Sequence, residues 1–138
     1  MWSCERSIDT PAPASAVWKQ YEDVAGWPAW NPGFESVRLG GPFLPGTNGS
    51  VKALGQDEAP FTLTDVVPGT SFVMETEVGG GVIARSSCSV TALPGGGSRI
   101  VHRTELDGPG AAAMGAAAGP MLVGNLEKGL EALANAAA

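Results

Sequence analysis

"SIDTPAPASAVWKQYEDVAGWPAWNPGFESVRLGG", residues 7–41, changes character three times within 35 positions. Ile8 ends an alternating segment that starts at Trp2. Trp2, Cys4 and Ile8 share one face of it, and Ser3, Glu5, Ser7 and Asp9 the other, the pattern of a half-buried strand. Pro11 and Pro13 stop that strand. They also suit the first turn of a helix, where a missing N–H costs nothing. Ala14, Val17, Trp18 and Tyr21 then follow the i, i+3, i+4, i+7 spacing and predict a helix to about Asp23. "VAGW" predicts a second short turn, which Pro28 ends. "GWPAWNPGF", residues 26–34, follows, with two Trp, two Pro and a Phe. Such a segment is neither a long helix nor a regular strand. It spends two of the four tryptophans of the chain on an irregular path, which predicts a broad apolar wall.

Downstream the chain reads as a meander. "FESVRLG", "SVKAL", "PFTLTDVV", "SFVMETEV", "VIARSSCSVTAL" and "SRIVHRTELD" are strands, separated by turn-rich segments such as Pro68-Gly69, Gly79-Gly80-Gly81 and the "PGGG" at 94–97. Strands joined by short glycine-rich turns pair antiparallel. Residues 110–138 are Ala-rich and helical, with Leu122, Leu126, Leu130 and Leu133 on one stripe. Gly119-Pro120 predicts a break in that helix, with a loose first half and a firm second half. The whole is an α+β pattern: one domain over residues 1–138, seven strands, two short helices after the first strand and a long last helix covering one sheet face.

Composition removes several function classes. The chain of 138 residues is 43% hydrophobic, enough for one core. Its net charge is −6 and its basic residues are scattered, which argues against nucleic acid and against an anionic membrane surface. No run is long and apolar enough for membrane insertion. The opening "MWSCERSID" lacks the apolar core of a signal peptide, so a cytoplasmic location is expected. Cys4 and Cys88 lack metal-ligand spacing and there is a single His, so neither a metal nor a cofactor is expected. The glycine runs lack the strand-to-helix context of a phosphate loop.

The alternation also sorts the inward side chains. Ile100, His102, Thr104 and Leu106 face inward on the last strand, because Arg99, Arg103, Glu105 and Asp107 must face water. Val82, Ala84, Ser86, Cys88, Val90 and Ala92 form the uncharged set of the strand before it. Phe72, Met74, Thr76 and Val78 point inward one strand earlier, and Asp65 phases with Phe61 and Leu63. Hydroxyls and the sole His sit among small residues here, opposite a helix whose first half is Ala and Gly. Small side chains on both sides of a layer leave a gap, and a gap with polar groups on its wall is a ligand pocket or a water-filled cavity. A small core with bound water is the plainer reading. Arg6 shares a face with Trp2, Cys4 and Ile8. It either reaches the rim or a carboxylate such as Asp65, or it anchors a ligand's carboxylate or enolate. His102 is either a satisfied core residue or an acid/base catalyst.

The same 7–41 segment resembles the START-like superfamily, in its polyketide cyclase/dehydrase (SRPBCC) branch. The residues that carry the resemblance are Ile8, Pro11, Val17, Trp18, Asp23, Trp27, Trp30, Asn31 and Pro32. "TDVVPGTSFVMET" resembles the family's strand–Pro-Gly–strand hairpin, and "GGSRIVHRTELDGP" its last strand. The resemblance implies a helix-grip fold, a curved seven-stranded antiparallel sheet around a long C-terminal helix, with a deep hydrophobic cavity between them. It implies a small, largely apolar ligand, such as a lipid, a quinone or an aromatic polyketide, and no general catalytic motif.

The expected ligand-binding residues are Arg6, Trp27, Trp30 and Phe34 from the first part of the chain. Phe61, Phe72, Met74, Ser86, His102 and Thr104 join them from the sheet, and Met114 and Met121 from the last helix. Three functions compete. One is a binder of a small hydrophobic molecule. The second is a cyclase or dehydratase with His102 as its catalytic acid/base. The third is an interaction module with an incidental cavity and an unknown protein partner.

Overall fold

The structure is a computed structural model and describes residues 1–79 and 81–138. Strand β1 (Trp2–Thr10) leads to helix α1 (Ala14–Glu22) and a 3-10 helix (Val24–Ala29). Strands β2 (Phe34–Leu39), β3 (Asn48–Ala53), β4 (Glu58–Val67), β5 (Ser71–Glu77), β6 (Ile83–Ala92) and β7 (Ser98–Asp107) follow, and then helix α2 (Ala111–Ala137). The seven strands form one antiparallel sheet in the order β1-β7-β6-β5-β4-β3-β2. From β2 to β7 each strand pairs with its sequence neighbour, as short turns require. At the β4–β5 turn Gly69 adopts φ +77°, and Thr70 N–H closes the turn on Val67 C=O at 2.9 Å. The last strand returns beside the first, with Arg6 opposite His102 and Trp2 opposite Leu106.

α1 and the 3-10 helix lie at one end of the sheet's inner face, where α1 meets β6 and α2. α2 packs on β1 and β7. This is the helix-grip arrangement of a sheet holding a long helix. Two apolar clusters result. The larger gathers Tyr21, Trp27, Trp30, Phe61, Phe72, Ile100 and Leu133 among others. The smaller gathers Val82, Leu106 and Ala111, with Trp2, Ala84, Met114 and Leu122 packed against it.

Three expectations change. α2 runs unbroken through Pro120. Pro120 and Ala116 are both exposed, so the carbonyl left without its helical N–H faces water. Asp65 does not phase with Leu63, because a bulge between them shifts the register of β4 against β5. The extra residue turns Asp65 to solvent and brings Val66 into the core. Val78 lies beyond the end of β5 and is 43% exposed.

The outer face of the sheet carries the charges. Arg85 donates to Glu75 at 2.8 Å and to Glu105 at 3.4 Å, and Arg103 Nε reaches Glu105 at 2.9 Å. The Arg103 guanidinium holds the Glu105 carboxyl below the usual carboxylate range. Arg99 grips Asp9 with two hydrogen bonds across β7 and β1.

Candidate functional site

The inner face divides into two regions. In the first, α1 lays Tyr21 over the middle of the sheet. Tyr21 Oη and His102 Nε2 lie 2.9 Å apart. The chain contains one Tyr and one His, and the fold brings them together. Both are neutral at pH 7: burial lowers the imidazole pKa to about 4 and pushes the phenol pKa up. His102 sits opposite Cys88, whose thiol burial also keeps protonated.

Aromatic rings close around this pair. Phe72 meets Tyr21 edge-on at 5.0 Å between centroids, and Trp27 stacks on Phe72 at 5.4 Å. Phe43, from the β2–β3 loop, meets Phe72 at 5.2 Å. Trp30 lies 5.7 Å from the His102 ring and 5.9 Å from Tyr21. The irregular 26–34 segment places the two indoles here. Pro28 sits inside the 3-10 helix, and Trp27 Nε1–H donates to Tyr21 C=O at 2.8 Å, tying the segment back to α1. Trp30 Nε1–H is buried with no acceptor among the described residues. Tyr21, which the sequence reading did not place at the site, thus packs against His102 within these rings. Its place on the apolar stripe of α1, as the sole phenol of the chain, was the available signal.

The second region lies under the first half of α2. Between buried His102 and buried Leu106 on β7, Thr104 remains half-buried although it points inward. Its cross-strand neighbour Ser86 is half-buried too, as are Ala84 and, on β5, Thr76. Inward-facing residues in the middle of a sheet keep solvent access only where nothing covers them. α2 rests on β1 and β7, and this part of β5 and β6 stays partly open to solvent, with Met114 and Leu122 of α2 half-buried.

A separate cleft of about 370 Å³ opens between the β1 edge and α2, lined by Arg6, Ser7, Ile8, Glu127 and Leu130. Arg6 reaches this rim. Its Nε lies 3.5 Å from Glu127 Oε1 and its Nη1 donates to Glu5 C=O at 2.7 Å. The partner is thus Glu127 on α2, and Asp65 is exposed on the distant strand β4. Both groups of the pair are about half exposed, so it stabilises the fold little.

The expected site residues thus separate. Trp27, Trp30, Phe61, Phe72, Met74 and His102 are buried in or beside the aromatic cluster. Phe34 packs on its edge. Ser86, Thr104 and Met114 are half-buried, and Arg6 stands at the cleft. Met121 joins neither: it is 60% exposed on the outer side of α2. No group of His, Cys, Asp and Glu side chains among the described residues has the arrangement of a metal site.

Solved structures share this architecture. A solution structure of a protein from Thermobifida fusca aligns with TM-score 0.75 at 23% identity, covering 97% of this chain and 91% of that one. Truncated norcoclaurine synthase from Thalictrum flavum aligns with TM-score 0.72 at 18% identity, over 96% of this chain and 91% of that one. Ara h 8.0201 aligns with TM-score 0.69 at 16% identity, over 99% of this chain and 97% of that one. These likenesses show the fold. Among curated proteins none matches in sequence. The sequence model of polyketide cyclase / dehydrase and lipid transport proteins matches residues 1–138. The chain belongs to that family.

Proposed function

We propose that the protein binds a small, largely apolar molecule in the groove between the first half of α2 and the inner face of β5–β7. The carrying observation is the set of inward yet half-buried residues Thr76, Ala84, Ser86 and Thr104 in the middle of an otherwise buried sheet face. Their hydroxyls provide donors and acceptors on an apolar wall, the composition of a small-molecule site. The family supports this reading, and the structure of norcoclaurine synthase in complex with dopamine and hydroxybenzaldehyde supports it by analogy of fold. No helix among the described residues is long and apolar enough to cross a membrane. A cytoplasmic carrier of lipids, quinones or aromatic polyketides is the role we assign.

Thermal shift and native mass spectrometry against those compound classes test it. A binder raises the melting temperature of the natural protein, and Ser86→Trp, which fills the groove, abolishes the shift while keeping the fold. Absence of any shift, or an unchanged shift in Ser86→Trp, overturns the proposal.

One observation favours a second reading, in which His102 moves a proton on a bound carbonyl compound. At neutral pH its imidazole is in the base form, with the Tyr21 phenol 2.9 Å away. In the present packing the aromatic rings hold substrate away from it. His102→Gln separates the two functions. Retained binding with lost turnover supports catalysis, and retained turnover removes His102 as an essential catalyst.

A further inference from the structure

Trp2 stands where the small residues of α2 leave room. Its indole lies flat on the helix at Gly115 and Gly119, one turn apart. A methyl group at Gly119 would stand 3.2 Å from Trp2 Cζ2, and one at Gly115 would run into Trp2 Cγ, Cδ1 and Cβ. The ring packs on the same small cluster as Ala84, Met114 and Leu122. The missing side chains of Gly115 and Gly119 thus leave room that a side chain from β1 occupies.

Three features make this stopper easy to withdraw. Trp2 is the first residue of β1, and β1 is an edge strand, hydrogen-bonded to β7 alone. Trp2 is half-buried, whereas Trp27 and Trp30 are 1% and 4% exposed. The residue before it, Met1, is 72% exposed. Strand ends of this kind open at little cost. Opposite, α2 begins at Gly110 with no side-chain cap and no acid in its first turn.

We propose that Trp2 is a movable plug of the groove, and that the ligand carries a flat bicyclic aromatic ring which takes the place of the indole on the Gly115–Gly119 face. The proposal rests on the groove-binding reading above and narrows its ligand class. A slot shaped by one indole favours another planar ring of that size. An acyclic chain would gain no stacking on the flat glycine surface. The plug lowers the apparent affinity by the fraction of time it is seated, and it keeps an empty groove from exposing an apolar wall.

The test uses 2-naphthol as the flat probe and decanoate as the acyclic one. In the natural protein the Trp2 indole N–H resonance is assigned by its loss in Trp2→Phe. Saturating 2-naphthol is expected to move that resonance to a solvent-exposed position and speed its exchange with water. Trp2→Ala is expected to bind 2-naphthol at least tenfold more tightly than the natural protein. Decanoate is expected to leave the Trp2 resonance in place. The proposal is overturned if 2-naphthol binds while the Trp2 resonance stays put, or if Trp2→Ala gains no affinity. Binding of decanoate alone overturns the plug and leaves the groove reading standing. Failure of both probes in every variant removes both. If Trp2→Ala does not fold, the resonance of the natural protein decides the matter alone.

Discussion

The two regions of the inner face solve one packing problem in opposite ways. Around His102, large rings from four separate segments fill the space and leave little room: Tyr21 is 0% exposed and Phe72 1%. Under the first half of α2, small residues create the space, and one borrowed indole fills part of it. The first region is held by many partners at once. The second depends on a single side chain near the start of the chain. Stability therefore concentrates at the aromatic end, and adaptability is left to the glycine end.

The largest effect expected from this contrast is on folding. Trp27→Ala removes a buried indole that stacks on Phe72 and ties the 3-10 helix to Tyr21 C=O. It should cost about 3–5 kcal/mol in urea denaturation. A loss below 1 kcal/mol would mean that the two regions do not differ as described.

The second effect concerns pH. Burial lowers the folded-state pKa of His102 to about 4, below the ordinary 6.5. The unfolded chain thus binds a proton that the folded protein rejects. Stability from this group is complete above pH 6.5 and is lost as pH falls toward 4, by on the order of 3 kcal/mol. Glu105, held low by Arg103, acts in a lower window, below its ordinary 4.5. A melting-temperature profile from pH 7 to 4 should fall in the natural protein and flatten in His102→Gln. An equally steep profile in the variant would place the titration elsewhere.

The third effect is the smallest and the sharpest. Alanine is a better helix former than glycine by about 1 kcal/mol. Gly115→Ala should nevertheless destabilise by about 1 kcal/mol, because its methyl group strikes Trp2 and overpacking outweighs propensity. In a Trp2→Ala background the same substitution should stabilise by about 1 kcal/mol. A double-mutant cycle reads the change of sign, and additive effects would show that Trp2 does not lie on that face.

Much of the architecture was legible before any coordinates. The alternation of Arg99, Arg103 and Glu105 with Ile100, His102 and Leu106 fixes the two faces of β7, because charges on the wrong face are costly. The prolines and indoles of residues 26–34 announce an irregular apolar wall. What failed to show was anything set by a long-range meeting. The bulge after Leu63 shifts β4 by one residue without a Gly or Pro to announce it, so Asp65 read as inward. Pro120 read as a break, since its solvent-facing position in the helix depends on how α2 is rotated on β1 and β7. The Tyr21–His102 bond joins residues 81 positions apart, and the seating of Trp2 on Gly115 spans most of the chain. Periodicity places each of these residues on a face, but it does not say which residue it will meet there.

α2 starts without the side-chain cap or first-turn acid that most helices of its length use. That omission separates grip from robustness. An acidic residue at the exposed positions 112 or 113 would firm up the opening turn without touching the groove wall. The gain in heat resistance would leave the seating of Trp2 on Gly115 and Gly119 as it is. Thermal stability in this scaffold can thus be adjusted from its outer surface, independently of the small-residue face that α2 turns to Trp2.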